Sequence, residues 1–435
     1  TPEGMFQHTG LSAQIMFFKS MLEKVGIEPE IVRHGKFKSA VEPFMQDNIS
    51  EANKEQTMKY VSSIWNTMLK GIEKERSIST DQLNLYADSL YLFSAISAKT
   101  YNFVDELYYK DEMLTELESL SEINKEEEEE LDLVGLLQYM HDDHDLDDIL
   151  NDSENTIAVI YAQGSIVSGK GGEDQIGSET LSKAIRDARE DENVKAIVLR
   201  VNSPGGSALA SEVIWRETLL AEKEKPFIVS MGDVAASGGY YIACMADTIV
   251  AQPNTITGSI GVLGMWFNAK ELMSDIGVNI YSVNTNTYSD FGSPARKMTE
   301  FERAFIKKSI VEVYETFTKH VAVGRNMSVA NVDSIGQGRV WSGEDALEIG
   351  LVDVMGGLQT AIDIAADKAK LEEYSIKSYP ERDKFTLFFE SMLGEAKSSF
   401  VKSELGDTYI YYKRIKDLAQ IEGIQARMPY YIDIK

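Results

Sequence analysis

The chain has 435 residues, 43% of them hydrophobic, so it is long enough for two or three domains with sizeable cores. Asp and Glu number 70 against 43 Lys and Arg, which gives a formal net charge of −27. This acidity argues against nucleic-acid binding, because such binding needs a basic surface that neutralises phosphates. No apolar run is long enough to span a membrane, and no signal peptide opens the chain. Because the first residue is Thr1 rather than Met, we expect a missing upstream segment and place any membrane anchor there.

Cysteine and histidine are scarce. The one cysteine, Cys244, cannot form an internal disulfide, and it excludes zinc ribbons and iron–sulfur clusters built on several thiolates. The five histidines form no His-Glu-x-x-His pattern, which excludes a zincin. Cys244 lies on a helix of small residues without an evident basic partner, so we expect it in the core. No metal or cofactor is predicted.

The beginning of the chain is repeated later in the sequence. Residues 2–43 align without a gap on residues 253–294 with six identities, and the apolar pattern matches as well. After a two-residue shift, the match continues along a long amphipathic helix in each copy. These matches predict a duplicated domain. The second copy starts near Thr156, whereas the first residue of the first copy already corresponds to Gln252. We therefore expect the first copy to be N-terminally truncated.

An acidic segment separates the two copies. Between Glu122 and Glu154 there are fourteen acidic residues and one lysine, a net charge of −13. Such dense charge predicts a solvated linker, and we interpret His141–Asp145 as part of it rather than as a metal site. The predicted boundaries are 1–120 for the partial first repeat, 121–154 for the linker, 155–370 for the complete second repeat and 371–435 for a C-terminal extension.

The second copy alternates short apolar runs with helical patterns. In chain order, the sequence predicts a strand at 157–161, a helix at 180–191, a strand at 196–201, a helix after 207 ending near 222, a strand at 227–231, a small-residue helix ending at 246 and a strand at 248–251. This alternation predicts βαβ units and a mostly parallel sheet, hence an α/β fold.

Two glycine-rich turns reach the carboxyl edge of this predicted sheet, where ligands bind in such folds. In one, Gly205 and Gly206 let a backbone with free N–H groups approach a ligand closely. In the other, Ser237 stands at a helix N-terminus beside the amide of Gly238. A serine beside such amides provides a nucleophile and an oxyanion hole, as acyl transfer requires. The alternative is a helix-capping serine and a tight turn, and the local pattern leaves both interpretations open.

A serine nucleophile needs a general base. No histidine is an obvious partner, and no Gly-x-Ser-x-Gly motif occurs. A buried lysine with a lowered pKa can act instead. The chain has 43 Lys and Arg, however, and their spacing does not identify one.

Four motifs together resemble the signal peptide peptidase A family, also called protease IV. They are NSPGGS at 202–207, MGDVAASGGYY at 231–241, TGSIG at 257–261 and GKFKSAVEPF at 35–44. The resemblance covers nearly the whole chain, in order, and is to the long, duplicated form of the family. It implies a ClpP/crotonase-like fold of repeated βαβ units.

The resemblance also implies a role for each matching residue. Ser237 would be the nucleophile and Lys38 the general base. Gly206 and Gly238 would be the oxyanion donors, with Gly205 as the substitute donor if the turn is rotated. Ser259 would hold the lysine amine in place. In the repeat alignment Lys38 corresponds to Ser289, so the second copy has the nucleophile without the base. The two copies are therefore expected to share one site. Whether the first copy has a nucleophile of its own stays open.

By the same resemblance, the chain is expected to be an endopeptidase with a Ser–Lys dyad and no cofactor. The implied substrates are signal peptides left in the membrane, or similar apolar peptides. The resemblance further implies a homo-oligomer, a tetramer, at the bacterial inner membrane with its catalytic part facing the periplasm. Two alternatives remain: a crotonase-like acyl-CoA enzyme, which needs neither the serine nor the lysine, and a non-catalytic assembly or partner-binding protein.

Overall fold

The computed structural model describes residues 1–121, 133–135, 153–172, 174–379, 424–428 and 433–434. Most of the predicted linker, including His141–Asp145, and most of the predicted C-terminal extension lie outside the described residues. The chain forms two compact units, one of residues 1–12, 64–151 and 435, the other of residues 13–63 and 152–434. All the predicted site residues belong to the second unit. Among the described helices, none combines the length and apolar character of a membrane span.

The helices and strands of the described residues are named here in chain order. The α-helices are α1 (Lys19–Lys24), α2 (Glu42–Met45), α3 (Glu51–Arg76), α4 (Thr80–Asp88), α5 (Ala95–Thr100), α6 (Lys110–Leu120), α7 (Ser178–Glu190), α8 (Ala208–Glu222), α9 (Gly238–Ala243), α10 (Lys270–Asp275), α11 (Glu300–Gly324), α12 (Val329–Ile335), α13 (Gly343–Glu348) and α14 (Leu358–Ala369). The strands are β1 (Ala13–Gln14), β2 (Glu28–His34), β3 (Thr156–Gln163), β4 (Ser165–Val167), β5 (Gln175–Gly177), β6 (Val194–Ser203), β7 (Gly205–Ser207), β8 (Phe227–Ala236), β9 (Thr248–Ala251), β10 (Ile256–Gly258), β11 (Val262–Asn268), β12 (Val340–Ser342), β13 (Val354–Met355), β14 (Ser375–Tyr379), β15 (Ile424–Arg427) and β16 (Asp433–Ile434).

The larger sheet runs in the order β12-β10-β8-β6-β3-β14, with β9 beside β8 and β13 beside β9. Its pairs are parallel except β10 with β12. The central strands are rich in Val and Ile and almost fully buried, because helices cover both faces of a parallel sheet. On one face α14 packs through Ala361 and Ala365. The predicted mostly parallel α/β architecture is therefore confirmed.

A second sheet runs in the order β2-β11-β15-β7-β4-β5. Its longest ladder joins β2 and β11 antiparallel over seven pairs, from His34 opposite Val262 to Glu28 opposite Asn268. β2 lies within residues 2–43 of the sequence repeat, whereas β11 lies within residues 253–294. This ladder therefore brings the GKFKSAVEPF motif next to the second copy.

Most predicted bounds of the second copy agree with the structure to within two residues, and three segments differ more. The segment Gly205–Ser207, predicted as a turn, is strand β7, because its backbone pairs with both β4 and β15. Strand β8 continues beyond the predicted end at 231 to Ala236, paired at its end with β10. Helix α9 ends at Ala243 rather than at 246, because Ala246 closes a turn onto Ala243 and Asp247 donates its N–H to Phe227 O.

Helices follow in the same succession in the two parts of the chain that align in sequence. The pairs are α1 and α10, α3 and α11, α4 and α12, α5 and α13, and α6 and α14. Ser79 and Ser328 cap α4 and α12, and Ser94 and Ser342 cap α5 and α13, at equivalent positions. Not every element recurs. In particular, the counterpart of β2, residues 279–285, forms no strand among the described residues and is exposed.

Candidate active site

Ser237 lies in a strained turn between β8 and α9. Its backbone has φ 56° and ψ −112°, in the region that non-glycine residues rarely adopt. Its N–H donates to Gly258 O at 2.8 Å, and its side chain makes no capping hydrogen bond with α9. Helix capping therefore does not account for this serine. The side chain is fully buried.

Lys38 meets this serine from the loop after β2. Its side chain is fully buried, and Nζ lies 2.8 Å from Ser237 Oγ. Nζ also lies 3.1 Å from Ser259 Oγ and 3.2 Å from Ser259 O. In the part of the chain that the structure describes, no carboxylate lies within ion-pair distance of this amine. Three residues predicted to act together, from segments far apart in sequence, are thus in direct contact.

The surroundings of Lys38 favour the neutral amine. Burial lowers the pKa of Lys38 well below its usual range, because a charged group loses its hydration there. A neutral amine has two N–H donors and one lone pair, and Ser259 O can only accept a hydrogen bond. Donation to the two oxygens of Ser259 leaves the lone pair directed at the Ser237 hydroxyl. This is the arrangement that a general base requires.

Glycines around Lys38 hold its side chain in place. A Cβ on Gly338, whose φ is +77°, would lie 2.7 Å from Lys38 Cα, and one on Gly261 would lie 3.1 Å from Lys38 Cδ. Neighbours of Gly338 bind both sides of the site: Gln337 O accepts from Phe37 N at 2.9 Å, and Arg339 O accepts from Ser259 N at 2.7 Å. Residues 337–339 thus position Lys38 and Ser259 together. They belong to none of the four motifs, so no sequence signal identified them.

A buried carboxylate anchors the lysine loop. Glu42 is 1% exposed and accepts hydrogen bonds from Arg33 Nη1 at 3.3 Å and Asn53 Nδ2 at 3.0 Å. Arg33 Nη1 also donates to Lys38 O at 3.0 Å. Glu42 is therefore paired with Arg33, so the Lys38 amine has no counter-ion from its own motif.

The two glycine-rich turns meet beside Ser237. Gly238 is the first residue of α9, where the N–H has no acceptor within the helix. Gly205 has φ +91°, and a Cβ there would lie 2.6 Å from Gly238 N, so only glycine allows this approach. The N–H of Gly205 donates to Ser203 Oγ at 3.1 Å. Gly206 and Gly238 therefore remain the candidate oxyanion donors, and Gly205 has a structural role.

Other nucleophiles and bases lie elsewhere. Cys244 is fully buried, and burial raises the pKa of its thiol to about 12, so it is unreactive, as expected of a core residue. His320 stacks on Trp215 and lies 3.1 Å from Glu212 Oε2. Among the described residues, no histidine contacts Ser237, and no group of three or more His, Cys, Asp or Glu side chains is placed to hold a metal ion.

The fold and site define a class before any relative is considered. A parallel α/β sheet that presents a buried serine at a helix N-terminus, beside glycine amides and a lysine, is a ClpP/crotonase-like architecture. The profile of peptidase family S49 matches residues 1–124 and 220–372, and the chain belongs to this family. The predicted resemblance to signal peptide peptidase A is thereby confirmed.

Several curated proteins are similar over most of the chain. Protease 4 of Salmonella typhi is 34% identical over 404 residues, 92% of this chain and 65% of that protein. The chloroplastic serine protease SPPA of Arabidopsis thaliana is 35% identical over 430 residues, 96% of this chain and 61% of its own length. A putative signal peptide peptidase SppA of Enterococcus faecium is 34% identical over 222 residues, 51% of this chain and 64% of its own. The chain thus spans less than two thirds of the length of each.

Proposed function

We propose that this chain is a serine endopeptidase with Ser237 as nucleophile and Lys38 as general base. One observation carries the proposal: a fully buried lysine amine without a carboxylate partner among the described residues lies 2.8 Å from Ser237 Oγ. A charged, unpaired amine buried in this way would cost several kcal/mol, so the site favours the neutral base. Membership of a peptidase family supports the same reaction.

The geometry supports acyl transfer in two steps. Neutral Lys38 takes the proton of Ser237 Oγ as this oxygen attacks the scissile carbonyl, while the amides of Gly206 and Gly238 stabilise the oxyanion. The resulting lysine ammonium gives its proton to the leaving amine. Lys38 then activates a water that hydrolyses the acyl-enzyme. Ser259 holds the amine through its two oxygens in both steps.

The two alternative functions do not explain the dyad. A crotonase-like acyl-CoA enzyme would use the paired amides but would have no need to bury Lys38 against Ser237. A non-catalytic binding protein would need neither. The burial of a lysine and the strained backbone of Ser237 both reduce stability, and such features are concentrated at catalytic sites.

A fluorophosphonate probe, which labels activated serines, tests the dyad. Labelling should disappear in Ser237→Ala and fall by about 10²–10⁴-fold in Lys38→Met, the range that a general base contributes. The matched control is Lys36→Met, the same substitution at an exposed lysine two residues away, which should label like the wild type. Undiminished labelling of Ser237→Ala would refute the proposal.

The substrates we propose are signal peptides and similar apolar peptides with small residues near the cut. The name of the Enterococcus faecium relative supports this substrate class. Incubation with a synthetic signal peptide, followed by mass spectrometry, should give internal cuts that are absent with Ser237→Ala. A polar peptide of equal length is the control, and equal cleavage of both would contradict the proposed preference.

We also propose that residues 1–120 and 155–370 are two copies of one domain, joined by the linker 121–154 and followed by the extension 371–435. We further propose that the chain forms a homo-oligomer, which by family resemblance is a tetramer. In the structure β2 pairs with β11, and their repeat counterparts are residues 279–285 and 11–17. Residues 279–285 are exposed, with Val283 at 99%, although their sequence corresponds to a buried strand. The one described strand pairing of β1 (Ala13–Gln14) is with β16, which leaves its other edge open. The same ladder, made between subunits, would pair both.

The repeat alignment gives the register of that ladder. Val32 pairs with Gly264, so Val283 of one subunit should lie opposite Ala13 of the next. A chain with Ala13→Cys and Val283→Cys should form an intersubunit disulfide, since cross-strand Cβ atoms lie about 5 Å apart. Ala13→Cys with Asn279→Cys, about 13 Å out of register, is the control. Equal cross-linking of both pairs would contradict this register. Cys244 does not interfere because it is buried.

We place the protein at the bacterial inner membrane with its catalytic part facing the periplasm, where spent signal peptides are found. Fractionation of cells that express the full-length protein should recover it with inner membranes. External protease should digest it in spheroplasts but not in intact cells. Recovery in the cytosolic fraction would contradict this placement.

A further inference from the structure

A left-handed turn at residues 336–339 closes over the Lys38 loop. Its two central residues both have positive φ, 53° at Gln337 and 77° at Gly338. Glycine adopts this conformation without strain, whereas glutamine rarely does. Gly338 N donates to Ile260 O at 2.7 Å, which ties the turn to the segment after Ser259. A strained turn of this kind persists only where its surroundings hold it.

The hydroxyl of Tyr314, on α11, holds this turn. Tyr314 is 4% exposed, and its hydroxyl accepts a hydrogen bond from Gln337 N at 3.2 Å. The same hydroxyl donates to Asp333 Oδ1 at 2.7 Å, and Gln337 Nε2 donates to that oxygen at 2.5 Å. Burial and the bond to Asp333 raise the pKa of Tyr314, so the hydroxyl keeps the proton that this bond needs. The main chain and the side chain of Gln337 are thus both fastened to one Tyr–Asp pair.

The turn links Tyr314 to the proposed base. Gln337 O accepts a hydrogen bond from Phe37 N at 2.9 Å, one residue before Lys38. A Cβ on Gly338 would lie 2.7 Å from Lys38 Cα, so the turn lies directly against the lysine. The hydroxyl of Tyr314 bonds the turn rather than the amine, and it can therefore act on the amine only through the position of the turn.

We infer that Tyr314 is a positioning residue for the general base, because its hydroxyl keeps the turn at 336–339 closed over Lys38. This inference rests on the proposed Ser237–Lys38 peptidase. Without the hydroxyl, the Gln337 N–H loses its acceptor, and the turn loses a bond that offsets its strain. Water then reaches the Lys38 amine and favours the protonated form, which cannot take the proton of Ser237 Oγ.

The pH dependence of fluorophosphonate labelling distinguishes positioning from a loss of stability. Tyr314→Phe removes the hydroxyl and keeps the ring, which packs on His34 with 4.3 Å between ring centroids. A more hydrated Lys38 should move the midpoint of the labelling rate up by about one pH unit, so that below the midpoint the rate is about tenfold lower. At high pH the rate should return to that of the wild type. A loss of active protein alone would lower the amount of labelling without moving this midpoint.

Tyr379→Phe is the matched control. The hydroxyl of Tyr379 also donates to an aspartate, Asp191, at 2.7 Å. It lies on β14, at the opposite edge of the larger sheet from β12, the strand that follows the turn. This variant should keep the wild-type midpoint. Where Tyr314→Phe does not fold, Asp333→Ala takes its place, since it keeps the ring, removes the partner that orients the hydroxyl and should raise the midpoint as well.

The outcomes for the inference and for the dyad are separate. A wild-type midpoint in folded Tyr314→Phe, or in Asp333→Ala where that variant replaces it, would overturn the inference. So would an equal shift in Tyr379→Phe. Either result leaves the dyad standing as long as Ser237→Ala is not labelled. Labelling that persists in Ser237→Ala, or its absence in the wild type, would refute the dyad and the inference with it.

Discussion

Burial of Lys38 predicts a contribution to the free energy of unfolding that rises with pH and is lost in Lys38→Met. The pKa of Lys38 is lowered in the folded protein, while in the unfolded chain it is near 10.4. Between these two values the unfolded chain binds one proton more than the folded chain. The contribution of Lys38 to the free energy of unfolding therefore increases with pH in this window, by about 1.4 kcal/mol per pH unit. Above the unfolded pKa the contribution is constant.

The slope, rather than the stability at one pH, isolates the effect. Methionine has a similar length and no titratable group. Its introduction loses the contacts of the amine with Ser237 and Ser259, each worth about 1 kcal/mol, but this loss does not vary with pH. The difference between wild type and Lys38→Met should therefore change by about 1.4 kcal/mol per pH unit within the window.

Guanidinium unfolding followed by tryptophan fluorescence measures this slope from about pH 7 to pH 10. Trp215, Trp266 and Trp341 lie in the same compact unit as Lys38, so their signal reports the relevant transition. Lys36→Met, at an exposed position, should keep the wild-type slope. A difference between wild type and Lys38→Met that stays constant across this range would mean that Lys38 is charged in the folded protein, and would refute the neutral base.

Three further substitutions have defined outcomes. Gly338→Ala should reduce probe labelling and lower stability by more than about 1 kcal/mol, because the φ of +77° at Gly338 and its contact with Lys38 disfavour a side chain. Thermal melting measures the loss of stability. The control is Gly71→Ala, because no atom lies within 4 Å of a Cβ added at Gly71. Ser259→Ala should lower kcat roughly tenfold with KM unchanged, since it removes a hydrogen bond to the Lys38 amine and leaves the candidate oxyanion donors in place. Glu302→Gln should cost about 3 kcal/mol at neutral pH, because Arg296 lowers the pKa of Glu302 to about 2. Denaturation at several pH values should show that difference shrinking as pH falls from about 4.5 towards 2, as Glu302 becomes protonated in the folded wild type.

Local sequence reasoning predicted the parts of the site that depend on backbone chemistry. Glycine-rich turns and small-residue helices restrict which residues fit, so the turns at Gly205–Gly206 and Ser237–Gly238 were recognisable as neighbours at one sheet edge. The proposed base, Lys38, was not recognisable in this way. Lys38 and Ser237 are 199 residues apart, and a lysine on its own is usually exposed. A family pattern was needed to pair them.

Features that depend on distant pairing were not predictable. Strands β7 and β15 contain three and four residues, too few for a periodic pattern, and each forms because a partner offers its backbone. Gly338 lies outside every motif, and its importance comes from its distance to Lys38. Likewise, the exclusion of Gly205 as a substitute donor depends on Ser203 Oγ, which takes up the Gly205 N–H.

The lowered pKa of Lys38 depends on the assembled sheet. The ladder between β2 and β11 ends at His34 opposite Val262, four residues before Lys38 and three after Ser259. Its seven pairs therefore fix both loops relative to each other, and Gly261 and Gly338 then enclose the amine. Where the ladder is absent, Lys38 is hydrated, its pKa is ordinary and the lysine is protonated at neutral pH. A chain that has not yet paired these strands has no general base for Ser237, so peptidase activity should appear only when the fold is complete.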